Sequence, residues 1–267
     1  MRRTTQIQLE HSEQIGEASE RFGDHEGVNE ARILRWLAQF TDDLLPLALD
    51  VLMAVRYFDS SNIRAMTRQL FQIVSDELGA RDLRCAAFVA VGSPASGSAT
   101  VLRVLRDALR GTQHRIMSML DVAQIEPGAI DAIVFLDDFS GTGDTLVSWW
   151  ETVEPIVRPS NAAIFVGLLL LNEQARVRIE QFAEVLPVTE LDVTANVLSM
   201  ESTQFTPEQK QQLAECCRST GCGPKYERGY GDCGLLVVLK HGCPNNSLPI
   251  LWYEGDAWRP LFRRRAI

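Results

Sequence analysis

The residues best suited to chemistry lie in one short stretch, Ile133 to Thr145, which reads IVFLDDFSGTGDT. Its apolar start predicts a buried strand, and two adjacent carboxylates, Asp137 and Asp138, follow directly. Carboxylate oxygens in that position can accept hydrogen bonds from a sugar diol or hold a hydrated Mg²⁺. We therefore expect a sugar or magnesium site at the end of this strand.

The loop after the acidic pair has the composition of a phosphate site. Gly141 and Gly143 allow unusual backbone angles and a close approach of the chain to a ligand. A helix predicted to begin after the loop would present free N–H groups and the positive end of its dipole. The hydroxyls of Ser140, Thr142 and Thr145 add donors. Phosphate and ribose recognition are therefore predicted side by side on one turn.

The same residues have a plainer interpretation, in which the acidic pair is a strand-to-turn junction with both carboxylates in water. The apolar run before the pair and the T-G-x-T loop after it favour a ligand site. Asp144 partly opposes that site, because its charge suits a helix N-terminus but repels a phosphate.

The segments around this stretch alternate between strands and helices. The runs Cys85–Val91, Ala132–Leu136 and Ala162–Leu171 predict strands, and amphipathic segments between them predict helices. Strands separated by helices imply right-handed crossovers, and so an α/β fold with a mainly parallel sheet flanked by helices. Ligands of such sheets bind beyond the carboxyl ends of the strands, where the acidic pair is placed.

The chain divides into three predicted parts. Residues 1–26 are polar without a clear period and predict a flexible arm. Residues 27–80 carry apolar residues at three- and four-residue steps and predict an N-terminal helical part packed on the core, with one face of the sheet as its target. Residues 81–267 form the predicted α/β domain, which ends in a C-terminal hood or tail.

Composition excludes several classes of protein. The net charge of −9 argues against direct nucleic-acid binding, which depends on clustered Lys and Arg. No apolar run approaches the roughly 20 residues of a membrane helix, and the first residues do not resemble a secretory signal. A cytoplasmic protein is predicted. The six cysteines lack the spacing of a zinc site.

The stretch Ile133 to Thr145 resembles the motif with which type I phosphoribosyltransferases bind 5-phosphoribosyl 1-pyrophosphate (PRPP): an apolar strand, two acidic residues and a loop with T-G-x-T. The resemblance implies that Asp137 and Asp138 bind the ribose hydroxyls, act in catalysis and hold Mg²⁺ directly or through water. It also implies that the loop wraps the 5′-phosphate. The implied substrate contacts are Phe139, Ser140, Gly141, Thr142, Gly143, Asp144 and Thr145.

A second loop, Gly92 to Ser98, follows the first predicted sheet strand. It takes the place of the loop that helps to bind pyrophosphate in that family, and an ordinary turn is an equally good interpretation. The substrate contacts implied here are Gly92, Ser93, Pro94, Ser96 and Gly97.

The C-terminal segment narrows the resemblance. His241, the run Pro244–Trp252 and the run Trp258–Phe262 resemble a phosphoribosyltransferase-like group from bacterial conflict systems, some of whose members accompany retron reverse transcriptases. The resemblance implies an effector of antiphage defence with a nucleotide or phosphoribosyl ligand and a protein partner of the reverse-transcriptase type. Packing of the C-terminal aromatic residues on the core is favoured over stacking on a base.

Two functions stay open at this stage. One is Mg²⁺-dependent transfer or cleavage at ribose C1′, which the intact acidic pair supports. The other is a catalytically inactive nucleotide sensor or partner-binding module. The span Asp121–Asp131, where family enzymes close a basic loop, has no Lys or Arg and favours the second. The cations nearest in sequence, Arg103, Arg106 and Arg115, are better explained as a solvated helix face. Amphipathic helices around residues 36–55 could pair subunits into a homo-oligomer.

Overall fold

The computed structural model describes residues 2–79, 85–92, 97–108 and 115–264. The helices are, in chain order, α1 Arg2–Glu10, α2 Ser12–Arg21, α3 Glu30–Leu37, α4 Leu45–Ala54, α5 Ser60–Leu78, α6 Gly97–Ala108, α7 Met119–Val122, α8 Asp144–Val157, α9 Glu173–Ile179, α10 Pro207–Ser219 and α11 Pro249–Trp252. The strands are β1 Arg56–Phe58, β2 Ala86–Ala90, β3 Arg115–Ile116, β4 Ala132–Ser140, β5 Ala163–Asn172, β6 Glu184–Leu191 and β7 Val237–Leu239.

These elements group into two compact units. Unit 1 contains the residues up to Ser60 together with those from Asp192 onward, and unit 2 is the continuous segment Ser61–Leu191. None of the described helices has the length and apolarity to cross a membrane.

Unit 2 contains a five-stranded parallel sheet with the order β3-β2-β4-β5-β6. Helices cover both faces, so the predicted α/β class is confirmed. One face packs under α5 and α6 through residues such as Leu70, Val101 and Val134. The other packs under α7, α8 and α9 through residues such as Phe135 and Leu146. The alternation of side chains along β4 explains this division, since Val134 and Phe135 must point to opposite faces.

Helix α5 lies within residues 27–80, the part of the chain predicted to be helical. It is amphipathic, and Ile63, Leu70, Val74 and Leu78 are buried against the sheet. Gly79 follows with φ +53°, a left-handed conformation that glycine adopts at low cost at a helix end.

Unit 1 buries the remaining N-terminal helices together with the C-terminal segment in one hydrophobic core. The indole of Trp36 donates to the carbonyl of Ile250 at 2.8 Å, and that of Trp258 donates to the same oxygen at 3.1 Å. Strand β1 pairs in parallel with β7 in a separate two-stranded sheet. The predicted packing of the C-terminal aromatics is therefore confirmed. In this core the apolar residues of α3 and α4 pack with the C-terminal segment.

Residues 1–26 also differ from the predicted flexible arm, because most of them are helical. Ile15, Ala18 and Phe22 are fully buried, and Ile7 is nearly so. Ile15, Ala18 and Phe22 are spaced by three and four residues, which is the period of one helix face. The polar residues between them hide that period in the sequence.

Candidate functional site

The acidic pair lies within a strand rather than after it. Strand β2 ends at Ala90, opposite Leu136, while β4 continues along β5 as far as Ser140, opposite Leu171. Asp137 and Asp138 therefore occupy the part of β4 that extends past its neighbour β2. This is the carboxyl edge of a parallel sheet, the place where such folds bind ligands.

Burial and charge act strongly on Asp137. Its residue exposure is intermediate. One oxygen, Oδ1, accepts the backbone N–H of Asp138 at 2.9 Å. Two effects raise the pKa of Asp137 well above its usual value. The larger is the removal of its carboxyl group from water, and the second is repulsion from the negative charge of Asp138. An arrangement that disfavours two adjacent negative charges is suited to binding hydroxyl donors or a cation.

Asp138 lies against the first residue of α6, Gly97. A Cβ atom added to Gly97 would be 1.9 Å from Oδ2 and 2.1 Å from Cγ of Asp138, so a larger residue there would displace that carboxylate. The positive end of the α6 dipole favours a carboxylate at this point. The buried hydroxyl of Ser98 donates to the carbonyl of Val91, which ties the start of α6 to the end of β2.

This contact brings part of the second predicted loop to the acidic pair. Gly97 reaches Asp138, and Gly92 is exposed with φ +74°. The other residues assigned to that loop, Ser93, Pro94 and Ser96, lie outside the described residues.

The loop after β4 leads into α8 through a left-handed glycine. Gly143 has φ +81° and ψ −7° and is the N-cap residue of α8. A Cβ on Gly143 would approach the Cα and carbonyl oxygen of Ala175 in α9 to 3.4 Å, so the loop packs closely on that helix. The first N–H groups of a helix have no acceptor within it and are directed out of its N-terminus. The loop therefore leads directly to backbone N–H groups at the start of α8 that have no acceptor within the helix.

The charge of Asp144 is paired with a residue that sequence analysis missed. Arg178, in α9, donates through Nη1 to Oδ1 of Asp144 and, at 3.0 Å, to the carbonyl of Thr142. The hydroxyl of Thr142 donates to the other oxygen of Asp144 at 2.8 Å. An acidic residue next to a predicted phosphate site was the available signal, because such a residue needs a cation nearby. Arg178 can reach the loop because α9 begins directly after β5, the strand that pairs with the end of β4.

The remaining predicted contacts line the same turn. Ser140 and Gly141 are buried, Phe139 and Thr142 have intermediate exposure, and Thr145 is exposed in the first turn of α8. Arg103 and Arg106 are exposed on α6, as expected of a solvated helix face. Arg115 is also exposed, but it lies in strand β3 rather than on a helix. It donates to the carbonyl of Ala129 at 3.2 Å.

Whether the site can hold Mg²⁺ depends on how many of its ligands the protein supplies and how many come from water and a substrate phosphate. The described residues contain no group of three or more His, Cys, Asp or Glu side chains arranged to hold a metal. Mg²⁺ is commonly held by one or two carboxylates, with water and substrate phosphate as the other ligands. Asp137 and Asp138 supply that number of carboxylates, and a cation would relieve the repulsion that raises the pKa of Asp137. The pair therefore fits Mg²⁺ that arrives with a phosphorylated substrate.

Comparison with known proteins assigns the chain to a family. The model of the PRTase-CE family matches residues 33–264. Among proteins of curated function, none matches. Solved structures that resemble the chain include a hypothetical protein from Neisseria gonorrhoeae with bound ppGpp. It is 12% identical, with a TM-score of 0.38 over 52% of this chain and 85% of that one. Similarity this low supports no inference about a ligand.

Proposed function

Because the chain belongs to the PRTase-CE family of phosphoribosyltransferase-like proteins, we propose that it binds a nucleotide or phosphoribosyl ligand at the carboxyl end of β4. Three features that suit such a ligand follow one another directly along the chain, and they are the main support for this proposal. Asp137 and Asp138 project from the extension of β4, a glycine loop follows, and the N-terminus of α8 comes directly after it.

The order of these features determines the orientation that we propose for the ligand. The 5′-phosphate lies on the loop, where backbone N–H groups and the hydroxyls of Ser140 and Thr145 can donate. The Thr142 hydroxyl donates to Asp144 and would have to leave it to reach the phosphate. The ribose diol lies beside Asp137 and Asp138, whose oxygens accept its hydrogen bonds. We assign Gly97, which lies against Asp138, and Gly92 to the pyrophosphate or base that extends from C1′.

The proposed reaction is transfer or cleavage at ribose C1′, with pyrophosphate or a base as the leaving group. Asp137 and Asp138 orient the ribose and favour the positive charge that develops on its ring as the C1′ bond breaks. When bound to these carboxylates, directly or through water, Mg²⁺ would supply neutralisation of charge on a leaving pyrophosphate.

We place this activity in an effector of bacterial antiphage defence, with a reverse transcriptase as the kind of protein partner. Support for this role comes from the resemblance of the C-terminal segment to conflict-system proteins. In this chain, Trp252 and Trp258 of that segment pack in the core of unit 1. Phage plating on cells that carry the native gene neighbourhood tests it. Protection that survives loss of both Asp137 and Asp138 would contradict the role assigned to this site.

A catalytically inactive sensor is the second candidate, and the span Asp121–Asp131 favours it. The span has no Lys or Arg. Val122 and Ile130 are buried in the core of unit 2, and Asp121 caps α7 through Ser118. A span anchored in this way does not resemble a basic loop that closes over pyrophosphate.

One assay separates the two candidates. The protein is incubated with Mg²⁺ and either PRPP or NAD⁺, and release of pyrophosphate or nicotinamide is followed, with the double variant Asp137→Asn/Asp138→Asn as control. The enzyme hypothesis predicts turnover that the double variant reduces by at least about 100-fold, the range expected when two charged contacts to the substrate are lost. Tight binding without turnover would contradict the enzyme and leave the sensor.

A further inference from the structure

We infer that Arg178 is a positioning residue of the phosphate loop, which neutralises Asp144 and fixes the direction of the Thr142–Gly143 peptide. The inference deepens the proposed function and rests on it for the identity of the ligand. The geometry of the loop itself does not depend on the ligand.

The first step is electrostatic. Asp144 is the first residue of α8, so its charge lies near the helix N-terminus at which the proposed phosphate binds. A phosphate monoester carries nearly two negative charges at neutral pH, and an unpaired carboxylate within several ångströms would weaken its binding by about 10-fold. The guanidinium of Arg178 contacts Asp144 directly and cancels that charge.

The second step is geometric. Nη1 of Arg178 also donates to the carbonyl oxygen of Thr142 at 3.0 Å. In a trans peptide the C=O and the following N–H point in opposite directions. Holding the Thr142 carbonyl toward α9 therefore turns the N–H of Gly143 away from α9. The left-handed φ of Gly143 is compatible with that orientation.

The ion pair between Arg178 and Asp144 is partly exposed and should add little to folding stability. The side chains of Arg178 and Asp144 are each 41% exposed. Ion pairs exposed to this degree contribute little to folding stability, because water and salt screen them. The loss of Arg178 should therefore affect the loop and its ligand rather than the folding of unit 2.

Helix α9 provides a matched control. Arg176 lies two residues from Arg178 and pairs with Glu180 at 2.9 Å and with Glu190 at 2.6 Å. Its contacts are at the other side of the helix from the loop. Replacement of Arg176 by glutamine removes an equal charge from the same helix while leaving Asp144 and Thr142 in place.

Titration calorimetry with ribose 5-phosphate tests the electrostatic step. We expect Arg178→Gln to weaken binding by about 10-fold or more and Arg176→Gln by less than about 2-fold. Arg178→Lys, which keeps the charge, should recover part of the loss. So should the double variant Arg178→Gln/Asp144→Asn, which also removes the negative charge of residue 144. Wild-type affinity in Arg178→Gln, or a double variant as weak as Arg178→Gln alone, would overturn the inference.

A second measurement does not need a ligand. In ¹⁵N-labelled protein without ligand, Arg178→Gln should move the amide resonance of Gly143, whereas Arg176→Gln should leave it in place. An unmoved Gly143 resonance would overturn the positioning role. Absence of ribose 5-phosphate binding by the wild type, together with a moved resonance, would instead count against the proposed function and leave the positioning role supported.

Discussion

Replacement of Gly97 by alanine is expected to lower the affinity for ribose 5-phosphate by about 10- to 100-fold, the cost of one or two charged hydrogen bonds. The new Cβ would be 1.9 Å from Oδ2 of Asp138, so either that carboxylate or the start of α6 must move. Overpacking of this kind also destabilises a protein by about 1–3 kcal/mol. Calorimetric titration and thermal unfolding measure the two effects.

Gly16 provides the control for this substitution. It lies inside α2, and no atom lies within 4 Å of the place where its Cβ would be. Gly16→Ala should therefore stabilise the protein by about 0.5–1 kcal/mol through helix propensity and leave ligand affinity unchanged. Wild-type affinity in Gly97→Ala would show that the position of Asp138 against α6 does not matter for binding.

Replacement of Asp137 by asparagine is expected to raise stability and to reduce ligand binding in the same variant. Removal of the carboxyl group from water and the adjacent charge of Asp138 disfavour the ionised form of Asp137, and both raise its pKa. An uncharged amide of the same shape relieves that cost, for a gain of about 1–2 kcal/mol. The amide cannot supply a carboxylate to the ribose diol or to Mg²⁺, so affinity for ribose 5-phosphate should fall by about 10-fold or more.

Denaturant unfolding measures the expected gain in stability, and titration of the same preparation with ribose 5-phosphate measures the expected loss of affinity. Asp131→Asn is the matched control, because Asp131 is exposed immediately before β4. It should change neither quantity appreciably. A stability in Asp137→Asn below that of the wild type would mean that the carboxylate of Asp137 is stabilising in the free protein, and the argument from burial would be wrong.

The sequence predicts the sheet and the loop well because their signals are local. The apolar run before Asp137, the glycines of the loop and the alternation of strands with helices each depend on neighbouring residues. The start of α10 is local in the same way, because the side chains of Thr206 and Gln209 each accept the backbone N–H of the other residue in a capping box. The end of β4 is less predictable. The apolar pattern stops at Leu136, but backbone pairing with β5 continues to Ser140.

The features that the sequence does not reveal depend on contacts between distant residues. Arg178 lies 34 residues from Asp144, and nothing in the helical pattern of α9 distinguishes it from Arg176. The contact of Gly97 with Asp138 likewise joins the start of α6 to β4, two segments about 40 residues apart in the sequence. The apolar stripes of α3 and α4 predict that something covers them, but only the structure identifies the C-terminal segment.

The central claim is that a ribose phosphate binds at the carboxyl end of β4, and a crystal structure with ribose 5-phosphate and Mg²⁺ tests it most directly. The predicted result places the phosphate within hydrogen-bond distance of the backbone N–H groups and hydroxyls of residues 140–145, with the ribose diol at Asp137 and Asp138. A phosphate bound away from residues 140–145, or a diol directed away from both carboxylates, would contradict the claim.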